Sequence, residues 1–120
     1  MLNFRGKKIH LACGATSMRY GIDALAAVVA GNFNLNATSD SIFIFCNAQR
    51  DRIKILQWDG NGFWLHYKRL EHGKFPWPKG VTDGEEKTMT LKHRELEYLL
   101  GGTQLKLKLD RIDFSDVYVA

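Results

Sequence analysis

Three β-prone segments that follow one another at short intervals constrain the fold of this chain most strongly. They span 41–46, 52–58 and 63–70. The first reads Ser-Ile-Phe-Ile-Phe-Cys, a continuous apolar run that is typical of a strand covered on both faces. A short polar turn at 47–51 and the turn signal Asp-Gly-Asn-Gly at 59–62 separate the segments. Because strands joined by such turns usually pair with each other, the sequence predicts a three-stranded antiparallel meander.

Two segments with helical spacing flank these strands. Apolar residues predict a helix over 17–30, with Thr16 or Ser17 as its cap, and Asp23 is spaced to pair with Arg19. A second helix is expected over 91–100, capped by Thr90. The segment 8–13 alternates in part and predicts a further strand. We therefore expect an α+β fold in which an antiparallel meander carries two helices packed on one face.

The length of 120 residues predicts a single domain over 1–120. Gly, Asp and Glu in 79–86 indicate a flexible loop. The segment 103–120 is expected to form a C-terminal tail, in which leucines at 105, 107 and 109 alternate with lysines as in a strand or an interface.

Composition narrows the class of protein. A hydrophobic fraction of 45% with 25% charged residues is typical of a folded chain. No apolar run approaches the roughly 20 residues of a spanning helix, and the basic start lacks a signal-peptide core, so we expect no membrane contact and a cytoplasmic location. Of the net charge of +4, a positive excess lies in 1–20 and 45–75, which suits a polyanionic partner.

The hairpin 52–70 combines cations with aromatic rings. Arg52, Lys54 and Trp58 share one face of its first strand, and Trp64, His66 and Lys68 share one face of the second. If both sets face the same way, the hairpin presents a platform for phosphates and bases, although a register shift of one residue would exchange the faces. The DNA-binding hypothesis comprises Arg50, Arg52, Lys54, Trp58, Trp64, His66, Lys68 and Arg69.

Two other interpretations of the same ring-rich strands stay open. In one, Trp58 and Trp64 cover a second small core and the cations are ordinary solvated residues. In the other, Trp58, Trp64 and Tyr67 anchor a protein partner, since aromatic residues dominate such contacts.

Catalytic patterns are weak. Asp51, Asp59 and Glu71 are candidate ligands of a small metal-dependent nuclease, but no metal-binding spacing or nucleophile motif supports it. Cys13 and Cys46 stand alone and are interpreted as buried free thiols. We predict a protein that is not an enzyme and that holds no metal or cofactor.

Two stretches of the chain resemble a known family. The opening stretch 9–23 contains Leu-Ala at 11–12, Met-Arg at 18–19 and Gly-Ile-Asp at 21–23. The central stretch 43–78 contains Arg-Asp-Arg-Ile-Lys-Ile-Leu at 50–56, Gly-Phe-Trp-Leu at 62–65, Tyr-Lys-Arg-Leu-Glu at 67–71 and Trp-Pro at 77–78. Both look like the small accessory proteins, labelled Orf-two-like or TnpB, of bacterial insertion sequences of the sixty-six group. Ala15 and Ser17 depart from the family's pattern, where Pro and Asp or Asn are expected.

The resemblance implies a role in transposition beside a separate, larger transposase, and it does not extend to the RNA-guided nucleases that share the label TnpB. It transfers no catalytic residues, because the family's molecular activity is undefined. The expected function is that of a non-enzymatic accessory protein that binds the DNA of the element's ends, the transposase, or both. The alternative is a pure protein-interaction module, and the sequence predicts no oligomeric state.

Overall fold

A computed structural model describes residues 4–80 and 87–101 of the protein. One sheet with the strand order β4-β3-β2-β1-β5 and two helices make up this part of the chain, which confirms the α+β class. The elements are β1 (Lys8–Ala12), α1 (Ile22–Gly31), β2 (Ser41–Cys46), β3 (Arg52–Trp58), β4 (Phe63–Arg69), β5 (Thr88–Leu91) and α2 (His93–Leu100).

The sheet is mixed, so the prediction of a purely antiparallel sheet is wrong. The meander β2-β3-β4 is antiparallel as expected. However, β1 pairs with β2 in parallel, with Ile9 opposite Ile42, and β5 closes the other side of β1 in an antiparallel arrangement. A parallel pair needs a long crossover, and α1 lies in the connection between β1 and β2.

The helices lie on opposite faces of the sheet, which corrects the prediction that both pack on one face. In β2, Ile42 and Ile44 belong to the core that contains Leu96 and Leu99 of α2. Alternate residues Phe43 and Phe45 belong to the core that contains Leu25 and Val29 of α1. Because successive side chains of a strand point to opposite faces, the apolar run of β2 requires a cover on each side. We call these sides the α1 face and the α2 face.

Both predicted helix caps are wrong. Helix α1 begins at Ile22, and the Ser17 hydroxyl oxygen accepts a hydrogen bond from the Arg19 N–H in the loop before the helix, at 3.2 Å. Thr90 lies in the short strand β5, and the Lys92 N–H donates to Glu95 Oε1 at 2.6 Å where α2 starts. Helix α1 is shorter than predicted because residues 15–21 form a loop that is tied to the end of β2, where the Thr16 N–H donates to the Cys46 carbonyl at 2.7 Å.

The segment between β4 and β5 closes the α2-face core. Phe75 and Trp77 are fully buried there, and Trp77 Nε1 donates to the Ala12 carbonyl at 2.8 Å. Cys46 is buried and Cys13 is half-buried, and burial raises the pKa of the Cys46 thiol to about 12.

Some predicted features fall outside the described residues. Only residues 79 and 80 of the predicted loop 79–86 are described, and the predicted tail 103–120 lies outside. Neither helix of the described ranges is long and apolar enough to cross a membrane.

Candidate interaction surfaces of the hairpin

The register of the β3–β4 hairpin divides the predicted platform between the two faces of the sheet. Lys54 is opposite Tyr67, and Gln57 is opposite Trp64. Since directly opposite residues point to the same face, Arg52, Lys54 and Trp58 share the α1 face with Tyr67 and Arg69. Trp64, His66 and Lys68 share the α2 face. The expectation of one continuous platform is therefore wrong, because the turn pairs Trp58 with Phe63 and so sets the opposite parity.

On the α1 face, Lys54 is a fixed cation. Its Nζ donates to the carbonyls of Met18 and Tyr20, both at 2.8 Å, and lies 5.8 Å from the centroid of the Tyr67 ring. Tyr67 itself is 54% exposed. Trp58 is half-buried and packs edge-to-face on Phe63 at 5.0 Å between ring centroids. Lys54 therefore anchors the loop before α1, and the exposed ring of Tyr67 lies next to its ammonium group.

Two arginines face each other across the same hairpin. Arg52 of β3 is directly opposite Arg69 of β4. Arg69 forms an exposed ion pair with Glu71 at 2.8 Å, which raises the pKa of Arg69 and lowers the pKa of Glu71. Arg52 Nε is buried and has no hydrogen-bond partner within the described chain. Like charges directly opposite in a sheet are destabilising, and Glu71 compensates the charge of Arg69 but not that of Arg52.

A polar cavity of about 650 Å³ lies beside Arg52. The loops that wall it follow β1 and β2, so it sits at the carboxyl ends of the parallel pair, where open α/β sheets commonly bind ligands. Its walls include two arginines and no carboxylate. The lining residues are Ala15, Thr16, Ser17, Met18, Arg19, Asn47, Ala48, Gln49, Arg52 and Tyr67.

Asn47 fixes the loop below this cavity. Its Oδ1 accepts from the N–H groups of Asp51 and Arg52 at 3.0 and 3.1 Å, and its Nδ2 donates to Asp51 Oδ1 at 2.7 Å. Arg50, which was expected to contact DNA, is 6% exposed and lies at a φ of 60° in this loop. The loop therefore buries Arg50 beneath the surface and leaves Arg52 beside the cavity.

On the α2 face, Trp64 is 57% exposed. Its Nε1 donates to Asp59 Oδ2 at 2.6 Å, and its ring stacks on His66 at 6.1 Å. His66 Nε2 lies 2.9 Å from Gln57 Oε1, and burial lowers the pKa of His66. Lys68 Nζ donates to the carbonyl of Leu100 at the end of α2.

A largely apolar groove of about 700 Å³ runs between the hairpin and α2. It is lined by Phe4, Arg5, Gly6, Ile53, Ile55, His66, Tyr67, Lys68, His93, Leu96, Glu97, Leu100 and Gly101.

The candidate nuclease carboxylates do not converge. Asp51 bonds to Asn47, Asp59 to Trp64 and Glu71 to Arg69. Across 4–80 and 87–101, no group of three His, Cys, Asp or Glu side chains is placed to hold a metal ion. The geometry gives the nuclease hypothesis no support.

Sequence reasoning missed Arg19 and Asn47. Arg19 was expected to pair with Asp23 on a helix, but it lies in the loop before α1 begins. The sequence around Asn47 predicts only a turn between two strands. Its hydrogen bonds to Asp51 and Arg52 depend on the backbone path of the 47–51 turn, which no local pattern reveals.

These elements define a small α+β fold that carries a polar cavity and an apolar groove on opposite faces of one hairpin. The chain belongs to the family described as IS66 Orf2 like protein, whose model matches residues 7–109. This confirms the resemblance seen in the sequence, and it indicates an accessory role in transposition.

Two relatives from Sinorhizobium fredii (strain NBRC 101917 / NGR234) are similar to the chain. The uncharacterized protein y4hO is 33% identical over 95 residues, which cover 79% of each chain. The uncharacterized protein y4jC is 33% identical over 107 residues, which cover 87% of this chain and 88% of the relative. No solved structure matches the chain significantly.

Proposed function

We propose that the protein is a non-enzymatic accessory factor of insertion-sequence transposition that binds the element's DNA through the α1 face of its hairpin. The observation that carries this proposal is the placement of Arg52 and Arg69 directly opposite each other beside the exposed ring of Tyr67. We call Arg52, Lys54, Tyr67 and Arg69 the α1-face strip.

The strip matches the chemistry of a nucleic-acid backbone. Phosphates supply the negative charge that Arg52 lacks within the described chain, and DNA binding then releases counterions, so affinity falls with salt. The Tyr67 ring offers a stacking surface or an amphipathic contact at the sugar. Family membership supplies the context of the element's DNA. Trp64, His66 and Lys68 lie on the other face and do not belong to this DNA surface.

The test is a fluorescence anisotropy titration of the full chain with labelled duplex DNA from the element's ends at 50 and 200 mM salt. We expect affinity to fall at least tenfold across that range if several phosphates are contacted. Tyr67→Ala and Arg69→Glu each weaken binding severalfold.

Two controls match these variants. Trp64→Ala removes a ring of similar exposure on the opposite face, and Lys8→Glu reverses an exposed charge at the far end of the sheet. Both should leave DNA affinity unchanged. A wild-type protein that does not bind DNA at 50 mM salt, or equal losses in variants and controls, would refute the proposal.

A second candidate function is docking of the element's transposase on the α2 face. The observation that favours it is the apolar groove beside the exposed Trp64. Within the described strands β4 pairs only with β3, so its outer edge is open to an extended segment of the partner.

Copurification with tagged transposase after nuclease treatment tests this second function. Trp64→Ala should reduce the recovered complex, while Arg69→Glu on the other face should not. Recovery that is lost on nuclease treatment would show that DNA bridges the two proteins and would contradict direct docking.

A further inference from the structure

The polar cavity between the two loops at the carboxyl ends of β1 and β2 has the features of an anion site. Its volume of about 650 Å³ leaves room for a phosphate group together with the sugar attached to it. Arg19 contributes an exposed cation from one loop, and Arg52 contributes a partly buried one at the start of β3. No Asp or Glu side chain is among the residues that line it.

Arg52 is the central observation. Its Nε is buried and has no hydrogen-bond partner among the described residues. A buried donor without a partner is unfavourable, and a guanidinium offers donors in a planar fork that matches two oxygens of a phosphate. Arg52 is one of the residues that line the cavity, so a bound oxyanion would lie beside its guanidinium. Such a ligand would satisfy both the donor and the charge.

The neighbouring carboxylates are held by other groups. Asp51 Oδ1 accepts from Asn47 Nδ2 at 2.7 Å, and Glu71 is paired with Arg69 at 2.8 Å. Arg52 therefore has a cation, Arg69, directly opposite it across the strands, and no ion pair of its own within the described chain. With Arg19 counted, three arginines and the two carboxylates Asp51 and Glu71 lie in or next to the cavity, and this excess of one positive charge favours an anion there.

The loop that carries the Thr16 and Ser17 hydroxyls is held in place by hydrogen bonds within the protein. The Thr16 N–H donates to the Cys46 carbonyl at 2.7 Å, which anchors the loop to β2. Ser17 Oγ accepts from the Arg19 N–H at 3.2 Å, which leaves its hydroxyl proton to donate to a ligand oxygen. Asn47 fixes the facing loop through the Asp51 and Arg52 N–H groups.

We infer that this cavity binds a single phosphate group, held by Arg52 from below and by Arg19 and the Ser17 hydroxyl at its rim. The choice of ligand rests on the proposed DNA-binding function, and the site would hold one backbone position of the DNA relative to the α1-face strip. The same chemistry suits an internal phosphodiester and a terminal phosphate at a DNA end.

The experiment is an NMR titration of the ¹⁵N-labelled full chain with three probes: inorganic phosphate, a short oligonucleotide with a 5′-phosphate, and the same oligonucleotide without it. We expect saturable shifts of the amides in the two loops with inorganic phosphate. Tighter binding of the phosphorylated oligonucleotide assigns the site to a DNA end. Equal binding of both oligonucleotides at the same loop amides assigns it to an internal phosphodiester.

Arg52→Gln and Arg19→Gln should each weaken phosphate binding at least tenfold, while Lys8→Gln, an exposed cation away from the cavity, should not. Arg19 is exposed in a loop, so Arg19→Gln keeps the test valid if Arg52→Gln fails to fold. Absence of loop shifts with phosphate, or phosphate binding that is unchanged in Arg19→Gln, would overturn the inference.

The phosphate and DNA titrations together distinguish failure of the phosphate site from failure of the proposed DNA-binding function. DNA binding that persists in both arginine variants but is lost in Tyr67→Ala refutes the phosphate site and keeps the DNA-binding function. Phosphate shifts in a protein that binds no duplex or single-stranded DNA support the site and refute the function.

Discussion

At the scale of single residues, Trp77 links the segment between β4 and β5 to the first strand. Its indole is fully buried and donates to the Ala12 carbonyl, 65 positions away in the chain. Trp77→Phe should lower the free energy of unfolding by about 1–3 kcal/mol because a buried carbonyl loses its partner. Trp77→Ala should cost about 3–5 kcal/mol.

Urea denaturation followed by circular dichroism measures both values. Trp64→Phe is the control, since an exposed ring should change stability by about 0.5 kcal/mol or less. Equal losses at the two positions would show that Trp77 is not a core link.

Two partly buried histidines, His10 and His66, determine the sign of the pH dependence of the free energy of unfolding. Burial lowers the pKa of His66, and burial together with the charge of Lys8 lowers the pKa of His10, whose ring stacks on Phe43 at 5.2 Å. Both therefore bind protons less readily in the folded than in the unfolded chain, where the pKa is about 6.5. Stability is complete above that pH and falls as the pH drops below it.

The free energy of unfolding from urea titrations between pH 7.5 and pH 5.5 measures this slope. The double variant His10→Gln and His66→Gln should flatten the slope, whatever its absolute stability. A wild-type protein that becomes more stable on acidification over this range contradicts the assignment.

At the scale of elements, the turn between β3 and β4 sets which residues share a face. Gly60 has a φ of +102°, which residues other than glycine rarely adopt. A Cβ atom added at this position would meet open space. Gly60→Ala should therefore lower the free energy of unfolding by about 1–2 kcal/mol from backbone strain alone.

Gly62→Ala is the matched control in the same turn. Gly62 also has open space around it and lacks a positive φ, so its substitution should be within about 0.5 kcal/mol of neutral. Denaturant midpoints compare the two, and an equal effect would exclude backbone conformation as the cause.

Strands were predictable where pattern and turn chemistry agreed. The bounds of β2 and β3 match the expectation, and β4 differs by one residue, because each is an apolar or alternating run between turn residues. Strand β5 was missed because its four residues are too short to show a period. Its existence depends on the open edge of β1, which no local pattern reveals.

At the scale of the whole molecule, two cores share one sheet. Leu25 of α1 is fully buried in one core, and Leu99 of α2 is buried in the other. Leu25→Ala and Leu99→Ala should each cost about 2–5 kcal/mol. Since β1, β2 and β3 contribute to these cores, each variant should still unfold in a single transition.

Coincident transitions by circular dichroism and tryptophan fluorescence check this expectation. The exposed Ala27→Gln on α1 serves as the control, with a change of about 0.5 kcal/mol or less. Two separated transitions in Leu25→Ala would show that the cores unfold independently.

The candidate sites were predictable in composition but not in arrangement. Arg52, Lys54, Tyr67 and Arg69 belong to the ribbon that the sequence singles out. Their separation from Trp64, His66 and Lys68 follows from one pairing, Trp58 with Phe63, which a shift of one residue would reverse. The cavity beside Arg52 joins loops about thirty positions apart, and only the parallel pairing of β1 with β2 brings them together.

The sequence by itself determined the family, the meander and the concentration of cations and rings in the hairpin, because these depend on residue identity, local period and turn chemistry. Only the tertiary structure decided that the sheet is mixed, that the helices cover opposite faces, and which cations share a surface. These properties depend on strand register and on contacts between distant segments, where a single-residue shift changes every face without changing any local preference.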